Sequence, residues 1–283
     1  MRISLRFHPG APASFYCRCH SVPVSTARQR QFFADQGYLP FGRIYAEQDV
    51  ERLRKAVAEV RTAAIDAGAA VAPVERSNVA VSSNLLNEPG KTTLSVRNLF
   101  RVNDVLRRHA FHAAIAEVAT ELLATDEVRL LMDQLIVKEP EISGTVGWHQ
   151  DFAFWALHPP VQVSCWLALD HVTKPSGAMQ FVPGSHRLGE FARVLSESGR
   201  KSRADSRPVI PRDPAAEGYE TVAVELAPGE CIFHHCLTWH ATEPNNTACS
   251  RRALVTRFMA RGTVLNVEPA AWDEDFPVVW PQP

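Results

Sequence analysis

Trp148-His149-Gln150-Asp151-Phe152 sets an imidazole and a carboxylate two residues apart. If this run is extended, side chains repeat every second residue, and His149 and Asp151 share a face. One more histidine from elsewhere would complete two neutral imidazoles and a carboxylate on one side of a metal. That donor set suits non-haem Fe(II) and leaves three coordination positions open. Taken alone, the tripeptide is also what an exposed strand edge carries, so a third donor has to be found. Gly229-Glu230-Cys231-Ile232-Phe233-His234-His235-Cys236-Leu237-Thr238-Trp239-His240 offers three: His234, His235 and His240.

The elements that would position these groups are readable from pattern. Ala27 to Gln36 reads as a short helix ended by Gly37, and 38–41 as a short extended segment. Glu47 to Ala67 reads as a long helix, because Val50, Leu53, Val57, Val60 and Ala64 recur at steps of three and four. Asn103 is placed to cap a second helix running to Ala124. His109 and His112 lie on it, three apart, as a surface or core pair with no third donor near in sequence. After Val128 the texture changes to strands: 128–138, 145–152, 161–169, 178–182, 221–226, 230–235 and 252–260. Lys174-Pro175-Ser176-Gly177, Pro183-Gly184 and Pro228-Gly229 punctuate them as turns. Many short strands between Pro/Gly turns predict a jelly roll or sandwich. The expected architecture is mainly β with α: a double-stranded β-helix, cupin-like, flanked by N-terminal helices, as a single domain over 27–283. Residues 186–218 lack periodicity and read as an insertion of the lid type.

Composition sets outer bounds. A chain of 283 residues with 46% hydrophobic and 22% charged residues can bury a large core. A net charge of -1 gives no basis for nucleic acid or an anionic membrane surface as partner. The six cysteines form no C-x-x-C pair, which removes zinc ribbons and thioredoxin-type chemistry. Reduced thiols in the cytoplasm are the default. Residues 1–26 carry Arg2, Arg6 and Arg18 and no acid, as a flexible leader or an organelle transit peptide would.

The ordered set of motifs resembles the phytanoyl-CoA dioxygenase family of Fe(II)/2-oxoglutarate oxygenases. Trp148-His149-Gln150-Asp151 is followed by Pro183-Gly184-Ser185-His186, then Pro228-Gly229-Glu230, His235, His240 and Thr242, with Arg251 eleven residues after His240. The resemblance runs from about residue 28 to 262. It implies His149, Asp151 and His240 as metal ligands and leaves His234 and His235 to packing or to support of the ligands. It also implies Arg251 as the two-pronged partner of the far carboxylate of 2-oxoglutarate, with Thr242 adding a hydroxyl. Strand alternation sends Arg252 to the opposite face. Gln134 and Lys138 resemble the strand that borders the co-substrate. Phe152, Phe154, Trp155 and Trp166 divide between pocket wall and core.

The cofactors implied are Fe(II), 2-oxoglutarate and O2, and the partner is a small-molecule substrate. Related halogenases resemble this site with Gly or Ala where Asp151 stands, so the carboxylate points to oxygenation. Hydroxylation of an aliphatic C–H is the expected outcome, with desaturation, epimerisation or ring closure as variants on the same iron. The alternative of another class is a non-catalytic cupin-like protein. A structural zinc takes four protein ligands, and three are offered here.

Overall fold

The computed structural model describes residues 25–66, 81–82, 93–155, 157–192, 206–265 and 275–281. The leader lies outside the described residues except for Ser25 and Thr26. Thr26 caps α1 (Ala27–Gln36) in a reciprocal box: its hydroxyl accepts from Gln29 N, and the Gln29 carbonyl accepts from Thr26 N. Gly37 ends the helix at φ 78°. It also lies so close to His186 and Thr238 that a β-carbon would collide with both. The carbonyl of Gly37 accepts from Thr238 Oγ1 at 2.6 Å and from His235 N at 2.8 Å. Helix α1 is thereby seated on the segment that carries the third histidine donor.

Strand β1 (Tyr38–Arg43) follows, then α2 (Glu47–Asp66), with Glu47 and Asp49 in its first turn as the helix dipole favours. Val50, Leu53, Val57 and Val60 are buried, as their spacing predicts. Two short strands come next, β2 (Val81–Ser82) and β3 (Leu94–Arg97). The predicted helix over 103–124 is two helices, α3 (Asp104–Ala110) and α4 (Ala113–Leu123). Asn103 caps α3 through its side-chain oxygen, as expected. The break falls at His112, which takes an extended backbone (ψ 114°) and cannot continue a helix. His109, in the last turn of α3, is buried in the core. There its ring nitrogens meet Tyr45 Oη at 3.0 Å and Thr256 Oγ1 at 3.4 Å. Burial pushes the His109 pKa down to about 3, so this is a neutral packing histidine.

The remaining chain builds two main antiparallel sheets and a third of two strands. The strands are β4 (Val128–Lys138), β5 (Val146–His149), β6 (Leu157–His158), β7 (Gln162–Ala168), β8 (Met179–Phe181) and β9 (Val222–Val224). They continue with β10 (Glu230–His235), β11 (His240–Thr242), β12 (Arg251–Ala260), β13 (Val264–Leu265) and β14 (Val278–Trp280). The large sheet runs β1-β10-β7-β12-β4-β3-β2, with β14 also on β4, and the small sheet runs β5-β11-β8-β9. This is the double-stranded β-helix with N-terminal helices that the turn pattern predicted. The bounds of β4 and β10 are as read from sequence. Other expected strands are shorter: 161–169, 178–182 and 221–226 are trimmed at both ends, and 145–152 is a strand only through His149, with Asp151–Phe154 a 3-10 turn.

Alternation on the large sheet sorts its two faces. Val163, Cys165, Leu167, Cys231, Phe233, Leu254 and Phe258 belong to the core shared with the helices. Trp166, Ala168, Ile232, Ala253 and Val255 belong to the core facing the small sheet. A one-residue slip of β12 would exchange these sets. Each Leu or Phe so displaced costs about 1.5–3 kcal/mol, which fixes the register and with it every inward side chain.

The segment predicted as an insertion is tied down at both ends of its described part. Gln150 Nε2 donates to Gly189 O (2.8 Å), and Gln150 Oε1 accepts from Phe191 N (2.9 Å). Ala192 N donates to Pro208 O at 2.8 Å, and Ile210 packs with Val182 and Trp239. Residues 193–205 lie outside the described residues.

Asp133, on the helix side of β4, is buried and accepts from Phe100 N at 2.9 Å. Burial pushes its pKa up to about 7, against the pull of that backbone hydrogen bond. The unfolded chain releases this proton near pH 4 and the folded chain near pH 7. Between those values the unfolded state binds fewer protons, so this group lowers stability as pH rises, by at most about 1.4 kcal/mol per pH unit. Asp133→Asn keeps an acceptor for Phe100 N and removes the titration. Urea midpoints measured from pH 4 to 8 are expected to fall less steeply for Asp133→Asn than for the natural chain; parallel curves would contradict this account.

Candidate active site

His149 closes β5 and His240 opens β11, and the two are directly paired across the small sheet. Their ring centroids are 4.1 Å apart. Each imidazole is fixed by a carbonyl two residues earlier: His149 Nδ1 to Gly147 O at 2.8 Å, and His240 Nδ1 to Thr238 O at 2.9 Å. A carbonyl only accepts, so Nδ1 carries the proton and Nε2 keeps a free lone pair in both rings. Burial lowers both pKa values, so both rings are neutral donors.

Gln150 remains extended (ψ 139°), so alternation survives past the end of β5. Gln150 points away and pins the insertion, while Asp151 returns to the face of His149. Among the described residues, His149, Asp151 and His240 form one group whose ligand atoms all lie within 4.8 Å of one another. Asp151 Oδ2 accepts from Ser164 Oγ at 2.7 Å, His234 Nε2 at 3.2 Å and Arg257 Nε at 3.2 Å. Burial works to raise its pKa, but the charge of Arg257 and the His234 hydrogen bond hold it well below the usual carboxylate range. Asp151 Oδ1 stands 3.8 Å from His240 Nε2. With the ring neutral this is no ion pair; it is the spacing of two donors aimed at one point. Two imidazole nitrogens and one carboxylate oxygen fit Fe(II) with positions left open.

The same cavity is bordered by Arg251 and Thr242. Arg251 is buried, and among the described residues none of its three guanidinium nitrogens has a hydrogen-bond partner; Thr242 Oγ1 is likewise buried and unpartnered there. The guanidinium carbon lies 5.2 Å from the centre of the Trp166 ring. Burial pushes the Arg251 pKa down to about 10, which leaves it cationic at neutral pH. A buried cation with no hydrogen-bond acceptor is costly, so its place is explained by an anion that arrives later. Arg252 points the other way and is fully used: Nε and Nη2 donate to Asp170 at 2.9 and 2.7 Å.

Gln134 lines the cavity, but both ends of its amide are engaged: Nε2 donates to Ser95 Oγ and Oε1 accepts from Arg257 Nη1. Lys138 is placed differently from the sequence reading. It is not among the residues lining the cavity; its Nζ donates to Gly144 O at 2.7 Å, Thr242 O at 3.4 Å and Glu243 O. It fastens the end of β4 to the end of β11, beneath Thr242. His235 packs near Phe33 and His186, and its Nδ1 accepts from Leu237 N. Its neighbour His234 faces inward onto Asp151. Phe154, Trp155 and Trp166 line the cavity, while Phe152 is core.

Sequence reasoning missed Ser164 and Arg257. The signal for Arg257 was present: on one strand, 251, 253, 255 and 257 share a face. Ser164 carried no signal beyond its place in a buried strand.

A family model described as phytanoyl-CoA dioxygenase matches residues 33–253. Phytanoyl-CoA dioxygenase 1 of Oryza sativa subsp. japonica is 24% identical over 271 residues, covering 88% of this chain and 92% of its own. Among solved structures, EctD from S. alaskensis with bound Fe is 25% identical at TM-score 0.65, over 90% of this chain and 84% of that one. A non-heme alpha ketoglutarate dependent carbocyclase from nogalamycin biosynthesis shares the fold at TM-score 0.68 and 22% identity, over 90% of this chain and 96% of that one.

The donor geometry sets a direct expectation. His149→Ala, Asp151→Ala and His240→Ala each reduce Fe(II) binding to background in anaerobic equilibrium dialysis, and His235→Ala retains it. Iron held by His240→Ala and lost by His235→Ala would reverse the ligand assignment.

Proposed function

The chain belongs to the phytanoyl-CoA dioxygenase family, and on that premise we propose that this Fe(II)/2-oxoglutarate-dependent dioxygenase hydroxylates an aliphatic C–H of a small-molecule substrate. The observation that carries the reading is Arg251 with Thr242: a buried guanidinium and a buried hydroxyl, both unpartnered, beside a three-donor metal set.

His149, Asp151 and His240 would hold the metal as its three protein donors. Arg251 offers two parallel N–H donors to the far carboxylate of 2-oxoglutarate, and Thr242 adds its hydroxyl. The Trp166 ring beside the guanidinium fixes the plane of that fork. Ile136, Met179 and Val255 form apolar wall around the same cavity and exclude water from it. Phe154 and Trp155 line the cavity near His149, where a substrate carbon is to be held. Bound Fe(II), with O2 and chelated 2-oxoglutarate, supplies an oxidant able to take hydrogen from an unactivated C–H, with succinate and CO2 as co-products. Asp151 occupies the coordination place that a halide would need, which favours oxygen transfer over halogenation. Likeness to a carbocyclase supports a second outcome, ring closure after the same hydrogen abstraction. Residues 27–283 act as one catalytic unit in this reading.

A hydrogen bond to a charged group contributes about 1.5–3 kcal/mol, and each 1.4 kcal/mol is about tenfold in affinity. Calorimetric titration of the Mn(II)-loaded protein without O2 is expected to show 2-oxoglutarate binding weakened about ten- to a hundredfold in Arg251→Ala. Arg251→Lys should recover part of it, since lysine lacks the planar fork. Metal content should stay at the natural level in both. Arg252→Ala should bind 2-oxoglutarate as the natural chain does; a larger loss there than in Arg251→Ala would sink the assignment. Reaction mixtures with chloride and O2 are expected to contain no chlorinated product.

A further inference from the structure

Asp151 is the one anion of the ligand set, and its surroundings are more elaborate than ligation requires. Three donors crowd Oδ2: Ser164 Oγ, His234 Nε2 and Arg257 Nε, at 2.7, 3.2 and 3.2 Å. Arg257 Nη2 also reaches toward Oδ1 at 3.5 Å. Its third nitrogen, Nη1, donates to Gln134 Oε1 at 2.8 Å, and Gln134 in turn donates to Ser95. All five supporting side chains are buried, and they come from β3, β4, β7, β10 and β12. Of the three donors to Oδ2, Arg257 is the one with a fixed charge; Ser164 is neutral, and among the described residues His234 Nδ1 has no hydrogen-bond partner. Among the described residues, Asp151 is the ion-pair partner of Arg257.

The geometry assigns Arg257 the part of a positioning residue: it works through Asp151 to lower the hold on the metal and raise the hold on the dianionic co-substrate. This rests on the metal and co-substrate reading above. Two physical effects point the same way. With three donors on Oδ2, the carboxylate has one oxygen left for a metal, and its second oxygen is kept off the positions a chelating ligand needs. With a guanidinium beside it, the donor set carries no net charge instead of one negative charge. A divalent metal then meets a weaker anion, and a dianion meets a loaded site one unit more positive. Gln134, which the sequence reading set against the co-substrate, serves here as the anchor of Arg257.

A purely structural arginine would give a different sign. Removing a scaffold residue loosens Asp151 and weakens metal binding, as losses around metal ligands ordinarily do. Removing a counter-charge strengthens it. The probe is Mn(II) alone, titrated at low ionic strength and followed by the electron paramagnetic resonance signal of the free ion. Arg257→Met and Arg257→Gln are expected to bind Mn(II) about tenfold tighter or more. In the same variants 2-oxoglutarate binding to the Mn(II)-loaded protein should weaken about 10- to 100-fold, through the loss of one unit of positive charge. Arg257→Lys, which keeps the charge, should stay near the natural chain in both measurements. Arg251→Ala serves as the contrast, losing 2-oxoglutarate with Mn(II) binding unchanged. Mn(II) affinity that is unchanged or weaker in the neutral variants, or an Arg257→Lys that behaves like Arg257→Met, would overturn the assignment. So would failure of both neutral variants to fold when Arg257→Lys folds normally, since that makes the arginine a stability residue. A natural chain that binds no Mn(II) would instead overturn the metal reading itself, without reference to Arg257.

Discussion

A carboxylate taken out of water has to be matched where it stands, and the interior of this fold is arranged around one, Asp151. Its solvation is replaced by a hydroxyl, an imidazole N–H and a guanidinium from three strands of the large sheet. The two imidazoles beside it come from paired ends of the small sheet. Asp151 therefore joins the sheets at the point where the chemistry sits. Neither sheet alone supplies both the donors that hold the carboxylate and the histidines that complete the set. Burial makes the arrangement demanding, because an ionised group left with a missing partner costs several kcal/mol. It also makes the arrangement specific, since the register of β7, β10 and β12 has to be right together.

Strand β12 shows how little sequence that specificity needs. Arg251, Arg252 and Arg257 lie within seven residues and have three fates. Arg252 turns outward to Asp170, Arg257 inward to Asp151, and Arg251 inward to no hydrogen-bond partner. Parity along the strand decides inward or outward. Position along the strand decides the rest: Arg257 lies opposite Met132 in mid-strand, and Arg251 lies opposite Lys138 at its end. Lys138 spends its Nζ on backbone carbonyls, and burial with Arg251 beside it pushes its pKa down to about 6, so it does not compete for an incoming anion in the cavity.

Much of this was legible in the sequence, and the pattern of what was not has physical reasons. Apolar runs such as those within β4 announce themselves because burial on both faces demands them. β11 has three residues, too few for any period to show, so it was absent from the strands read from sequence, and His240 was reached through the ordered motifs of the family resemblance. The strand expected through Asp151 stops at His149, yet the placement of Asp151 held, because Gln150 keeps an extended backbone. The helix break at His112 left no mark that Gly or Pro would have left; it is imposed by packing. Lys138 was misplaced because alternation gives the face of a side chain and says nothing of its reach. A long amine at the end of a strand can turn back onto nearby carbonyls. Arg257 was overlooked although the parity argument applied to Arg251 covers it equally.

The two inward arginines differ in how far they are satisfied. Arg257 is already satisfied by Asp151 and Gln134, and the Nδ1 bonds of His149 and His240 are already made. The metal end is thus preorganised, and a metal binds there with little rearrangement of protein. The co-substrate end is left in deficit, with a buried guanidinium and a buried hydroxyl that fold without partners. That deficit is a cost to the folded chain that, in the proposed reading, the far carboxylate of 2-oxoglutarate would cancel on arrival. Anything that binds the folded chain alone also stabilises it, by an amount that grows with ligand concentration over its dissociation constant. In the proposed reading, loading of the co-substrate end would therefore add to the stability of the folded chain, as any ligand that binds the folded state alone does.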